Sequence, residues 1–139
     1  MSIIFHPDTR MTIDTACRTA EQFTKLYYKS VDKKRHQVAR LYMANGRLVW
    51  NGHGAAGKNK IRKYFQQLPR SKHIINSLEA QPICGDAVPS QLTLIIQVAG
   101  YVKFLQNRRP FLQTFIITEQ GEKWKIANDC YVLDKMQQI

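Results

Sequence analysis

The chain has 139 residues, 44% of them hydrophobic, which suits one domain with a real core and argues against whole-chain disorder. Its net charge of +11 points to an acidic partner, nucleic acid included, or to a basic surface that keeps the protein in solution. No segment approaches the ~20 apolar residues of a membrane span. The apolar part of Met1–Pro7 is too short for a secretory leader. A soluble intracellular protein with no membrane contact is expected, as one domain over residues 1–139.

In chain order, residues 12–30 read as a long helix. Ile13, Ala16, Cys17, Ala20, Phe23, Tyr27 and Tyr28 recur at helical spacing, with Arg18, Glu21, Gln22 and Lys25 off that stripe. Asp32 is placed to cap a second helix through Met43, which Asn45-Gly46 would end. The strand Arg47-Leu48-Val49-Trp50-Asn51-Gly52 follows. A glycine-rich turn then leads to a third helix over residues 57–68, with Ile61, Tyr64, Phe65 and Leu68 on one side and Pro69 as its stop. The remainder is β: residues 73–83, ending at a Cys84-Gly85-Asp86 turn, then 91–104, 111–118 and 124–133. Together these predict an α+β architecture, three helices around a late antiparallel sheet.

If residues 119–122 form a four-residue hairpin loop, Ile117 lies opposite Trp124, and Phe115, Gln113 and Phe111 lie opposite Ile126, Asn128 and Cys130. Gln97, Ala99 and Tyr101 join this face by the two-residue period. It mixes aromatics, aliphatics and amides with almost no charge. A solvent face would carry more charge and a core face fewer amides, so the pattern suits a protein interface. The competing reading is a half-exposed face covered by the chain's own tail, Asp134–Ile139.

The opposite face carries the residues suited to chemistry. Asp129 alternates there beside Tyr131, within possible reach of Tyr28, Tyr42, Trp50 and His53. An Asp base with Tyr donors would serve proton abstraction next to a carbonyl. The same arrangement reads as a satisfied structural carboxylate, and no second acid sits at a readable spacing. His6, His36, His53 and His73 form no metal motif, and no metal or cofactor is expected. Gly52–Gly57 lacks the lysine and hydroxyl of a phosphate-cradling loop. Cys17, Cys84 and Cys130 lack zinc or redox spacing and read as reduced, buried thiols. Lys33-Lys34-Arg35, the Lys58/Lys60/Arg62/Lys63 set and Arg108-Arg109 suit at most non-specific or indirect contact with RNA.

The helix order, the Trp50 strand, Gly57-Lys58…Ile61…Tyr64-Phe65…Leu68-Pro69 and Trp124-Lys125-Ile126-Ala127-Asn128-Asp129-Cys130-Tyr131 resemble the nuclear transport factor two-like family. Leu41-Tyr42-Met43, Pro89-Ser90-Gln91 and Gly100-Tyr101-Val102-Lys103-Phe104 are similar to its messenger-RNA export branch. The resemblance implies a curved sheet wrapped into a cone by three helices. It implies a non-enzymatic subunit that pairs through its sheet face with the large subunit of the messenger-RNA export receptor, of the Tip-associated protein family. The heterodimer would bind phenylalanine-glycine nucleoporins, at the nucleus and nuclear pore with shuttling to the cytoplasm. Gln97, Gln113, Phe115, Asn128, Cys130 and Val132 are the expected partner contacts. Trp50, Phe104 and Tyr131 are the expected cone lining.

The resemblance also supplies contrasts. The Ran-GDP carrier branch has methionines at the sites of Gln97 and Cys130, a Glu at that of Asn51, and an acidic loop where this chain reads Leu105-Gln106-Asn107-Arg108-Arg109. The reversed charge predicts no appreciable Ran-GDP binding. Val132 stands where the export branch often has an Arg that salt-bridges its partner, so that ion pair is expected to be missing. A homodimeric Ran-GDP carrier and a small isomerase or dehydratase with Asp129 as base remain the alternatives.

Overall fold

The structure, a computed structural model, describes residues 13–83 and 92–134. The expected Cys84-Gly85-Asp86 turn, the Pro89-Ser90-Gln91 match, the Met1–Pro7 stretch and a covering tail beyond Asp134 lie outside these residues. Helix α1 (Ile13–Lys33) buries Ala16, Ala20, Phe23, Tyr27, Tyr28 and Val31 along one stripe. Asp14 in its first turn and Lys33 in its last suit the helix dipole.

The second helix is much shorter than expected. Helix α2 (Arg35–Val38) passes through a 3-10 turn, Ala39–Leu41, and Tyr42 already has extended backbone. Tyr42 is fully buried with its hydroxyl on Asp129, a contact it makes as the first residue of β1 (Tyr42–Trp50). Nor does Asp32 cap this helix: it accepts hydrogen bonds from the Ser71 hydroxyl at 2.7 Å and the His73 backbone N–H at 2.8 Å.

Strand β1 turns back through Asn51 and Gly52 into β2 (His53–Ala56), with Trp50 opposite His53. Both turn residues have positive φ, 49° and 92°, as a two-residue hairpin turn requires. A strand therefore occupies the stretch expected to be only a turn. Helix α3 (Lys58–Gln67) follows, burying Ile61 and Phe65. The chain ends in β3 (Ser71–Pro82), β4 (Thr93–Phe104), β5 (Asn107–Gln120) and β6 (Lys123–Leu133).

The six strands form one sheet in the order β2-β1-β6-β5-β4-β3. It is not wholly antiparallel, because β1 runs parallel to β6. Register shifts leave Asn76 of β3 and Ala127 of β6 without cross-strand partners, and such bulges bend a sheet. At Gly100 a Cβ would lie 2.0 Å from the Ile74 carbonyl oxygen, so β3 can fold closely over β4 only because that side chain is missing. The concave face, lined by Leu94, Ile96, Val98, Phe111, Phe115 and Ile117, packs with α1 and Phe65 into one core.

Candidate functional site

The two faces of β5 and β6 differ from the expected ones. Gln120 pairs with Lys123, so Gly121-Glu122 is a two-residue turn, with Gly121 at φ 64°. Ile117 meets Ile126 rather than Trp124, a shift of two that preserves the faces. The bulge at Ala127 adds one more residue and inverts them: Phe115 meets Asp129 and Gln113 meets Tyr131. Gln113 and Phe115 are therefore fully buried inside the cone, and the expectation that they share the partner-facing surface is overturned.

Gln97, Asn128, Cys130 and Val132 do share the outward face and are exposed. Cross-strand pairing sets Val49, Cys130, Thr114 and Gln97 in one row across β1, β6, β5 and β4. The next row contains Val132, Leu112 and Ala99. Val49, Leu112 and Val132 are 42%, 50% and 47% exposed. The first charge along the Cys130 row is Glu79, on β3. Bulky aliphatics and uncharged polar groups thus lie open together in a chain where Lys and Arg number 21.

The polar groups around Asp129 inside the cone are engaged with one another. Asp129 accepts hydrogen bonds from the Tyr27 hydroxyl at 2.9 Å and the Tyr42 hydroxyl at 2.5 Å on Oδ2, and from Gln113 Nε2 at 2.7 Å on Oδ1. Gln113 also donates to the Tyr27 oxygen at 3.0 Å and accepts from Tyr28 at 2.6 Å. Burial pushes the Asp129 carboxyl up to about 6, against the pull of those three donors. Burial, with Asp129 close by, likewise holds the Tyr27, Tyr28 and Tyr42 hydroxyls well above their usual range. Gln113 proves to be a second structural link between α1 and Asp129, beside the direct Tyr27 bond, a role its alternation did not reveal.

A second chain of contacts joins α1, β3 and β6. His73 Nδ1 lies 2.7 Å from Asp32 Oδ1, and Nε2 lies 2.8 Å from the Tyr131 hydroxyl. Burial would raise Asp32, but the hydrogen bonds and charge of His73 outweigh it and hold this carboxyl below its usual value. Tyr131 is sandwiched between Trp50, at 3.7 Å between centroids, and Phe111, at 5.3 Å, with both pairs within 7° of parallel. Trp50 and Tyr131 thus lie inside, and Phe104 is half-buried against the core. Asp129 is sealed among aromatic and amide groups, an arrangement that argues against its service as a base.

Several basic residues also have structural roles. Arg35 donates from Nε to the Val31 carbonyl at 2.9 Å, and its other nitrogens reach the Leu68 and Pro69 carbonyls, tying α1 to the end of α3. Arg108 stacks over the Tyr101 ring at 4.4 Å, and Arg109 bonds the Asp134 carbonyl at 3.1 Å. Both arginines sit on β5, and the connection itself is only Leu105-Gln106. Cys130 is exposed and Cys17 half-buried, so neither is the buried thiol expected; Cys84 lies outside the described residues. Among the described residues no group of His, Cys, Asp or Glu could hold a metal ion. No helix among them is long and apolar enough to cross a membrane.

A curved six-stranded sheet wrapped by helices, with a filled interior and an open outward face, defines a class. The family profile described as the nuclear transport factor 2 (NTF2) domain matches residues 19–133, and the chain belongs to that family. Within it, the chain is similar to NTF2-related export protein 1 of Bos taurus: 41% identical over 129 residues, covering 89% of this chain and 92% of that one. Among solved structures it shares its fold with nuclear transport factor 2 of Cryptosporidium parvum, at TM-score 0.76 and 24% identity, covering 96% of this chain and 100% of that one. It also shares it with the Candida albicans Mtr2–Mex67 M domain complex, at TM-score 0.71 and 14% identity, covering 89% of this chain and 99% of the matched chain.

Proposed function

We propose that this protein is a non-catalytic subunit of a messenger-RNA export receptor that pairs through its outward sheet face with a larger subunit. The observation that carries this reading is the uncharged row Val49, Cys130, Thr114 and Gln97, flanked by exposed Leu112 and Val132. Charge depletion with exposed aliphatics is what a buried interface centre needs and what a lone solvent face avoids. The export-protein relatives, and the Mtr2–Mex67 pairing in a protein of the same fold, support the class of partner. Gln97, Asn128, Cys130 and Val132 form the contact, with Val49, Leu112 and Thr114 added. Binding of phenylalanine-glycine nucleoporins and action at the nuclear pore follow from the heterodimer.

The alternatives have less support. A Ran-GDP carrier needs carboxylates where this chain offers Asn51 at a hairpin tip and Arg108-Arg109. An isomerase needs a carboxylate open to substrate, whereas Asp129 is sealed. Co-expression with the large subunit tests the pairing. Cys130→Glu sets a carboxylate in the middle of a dry contact and should abolish co-purification, at a cost of about 3–5 kcal/mol. Undiminished co-purification would overturn this interface.

A further inference from the structure

The charge of the chain is unevenly placed. Eleven of its 21 Lys and Arg residues lie between positions 33 and 78, and none of its 10 Asp and Glu residues does. This segment therefore carries the whole net charge of +11, while the cations outside it are matched by the acids. It runs from the last residue of α1 through α2, β1, β2 and α3 into β3. Arg35, bonded to the Leu68 and Pro69 carbonyls, sets the Lys33-Lys34-Arg35-His36 corner against the end of α3. The acids that flank the segment do not neutralise it. Asp32 binds Ser71 and His73, and Glu79 lies in the Cys130 row of the sheet.

Helix α3 shows what this surface offers. Ile61 and Phe65 are buried, and Tyr64 is half-buried with its ring 6.1 Å from that of Trp50. Every other residue of α3 is exposed, and each is a cation or an amide. A surface helix usually sets an acid three or four residues from a cation, but α3 has none. Lys58 and Arg62 instead stand one turn apart as a like-charged pair, and Arg62 turns to the Asn59 side-chain oxygen at 2.8 Å. The first turn has no acid and no side-chain cap, so the positive end of the helix dipole adds to the field.

An unrelieved field of this kind calls for a polyanion. The exposed side of α3 has no apolar side chain, so it lacks the anchor that a bound peptide buries and the apolar residues with which a basic helix enters a membrane surface. A nucleic-acid backbone needs neither. Its phosphates take Lys and Arg, and its phosphates and sugars take amide donors such as Asn59, Gln66 and Gln67. With Tyr64 held against Trp50, α3 presents no open ring for a base to stack on, so the contact does not read sequence.

We propose that the α2–α3 face is a sequence-independent contact for the phosphate backbone of a nucleic acid. Lys60, Arg62 and Lys63 form its centre, and Lys33, Lys34 and Arg70 extend it. The site is separate from the uncharged sheet face. In an export receptor the bound strand is cargo RNA, and only that last step rests on the export reading.

The probe is a short fluorescent oligouridylate, titrated by anisotropy against the full chain at several salt concentrations. Binding should weaken steeply as salt rises, and an oligothymidylate of equal length should bind within a few-fold. Lys60→Gln with Lys63→Gln should lower the slope of log K against log salt by about 1.4, at ~0.7 per phosphate contact. The same pair should weaken binding about tenfold or more in roughly 0.1 M salt. Lys25→Gln, on α1 with Glu21 one turn before it, should change binding by about twofold at most. Cys130→Glu should do the same while it breaks pairing through the sheet, so failure of that interface leaves this result standing. Lys25, Lys60 and Lys63 are exposed, and thermal melts of these variants should match the parent chain. No binding, a salt slope unmoved by the double variant, an equal loss in Lys25→Gln, or tighter binding of a polyglutamate peptide or of anionic vesicles would each overturn the proposal.

Discussion

Adjacent residues of β6 occupy two different environments. Asp129 and Tyr131 are buried, and each has a named partner for its polar atoms. Asn128, Cys130 and Val132 point the other way and stand open. The concave side couples its residues through specific hydrogen bonds, so removing one group strands several others. The convex side makes few demands on the fold, so substitutions there should act on association. A two-residue period thus lets one strand hold the domain together and present its contact surface.

This contrast is broken most sharply by Asp129→Ala. It removes the acceptor shared by the Tyr27 and Tyr42 hydroxyls and the Gln113 amide, leaving a buried polar cluster short of partners, and should cost about 3–5 kcal/mol in urea unfolding. A loss of about 0.5 kcal/mol, typical of a surface change, would erase the distinction between the faces.

Next comes pH. The Asp129 carboxyl rises from 3.8 to about 6, so over that interval the folded chain holds a proton the unfolded chain has released. The resulting stabilisation is fully present below pH 3.8 and is lost as pH rises through 6. At ~1.4 kcal/mol per pKa unit this amounts to about 3 kcal/mol. Asp32 has the opposite sign: its lowered value gives stability present above its unfolded pKa and lost as pH falls through its folded one. Urea midpoints measured across this range should show the Asp129 slope in the parent chain and little of it in Asp129→Asn.

Two smaller effects sharpen the comparison. Asn51→Ala forces a Cβ-bearing residue without a local polar partner into positive φ and should cost about 1 kcal/mol by thermal melt, with Asn51→Gly near neutral. Cys130→Glu, so damaging to pairing, should change the stability of the isolated chain by no more than about 0.5 kcal/mol.

The helical stripe of α1, the α3 block ending near Pro69 and the four late strands were legible because each follows a plain period. Asn51-Gly52 carried a hairpin signal, but the glycines after it read as one continuous turn. The bulge at Ala127 was harder to detect. Its trace is a spacing of three between the inward residues Ile126 and Asp129, hidden because the second of them is a carboxylate. Plain alternation therefore places Gln113 and Phe115 on the outward face, whereas the bulge turns them inward. The Asp32–His73–Tyr131 contacts join residues far apart in sequence, and no local pattern announces them. The resemblance pointed to the right family because its motifs mark ordered elements, which a shift in strand register leaves intact.

The parallel pairing of β1 with β6 has a consequence for synthesis. On the edge of β1 away from β2, Arg47 finds its partner at Asn128 and Trp50 at Tyr131, both on the last strand of the domain. Until β6 emerges from the ribosome, β1 has only the short hairpin with β2, and one flank of the Trp50 ring is uncovered. Folding should therefore be late and cooperative, and slow for a domain of this size. A nascent chain that stalls shortly before β6 would hold most of its helices and no closed sheet.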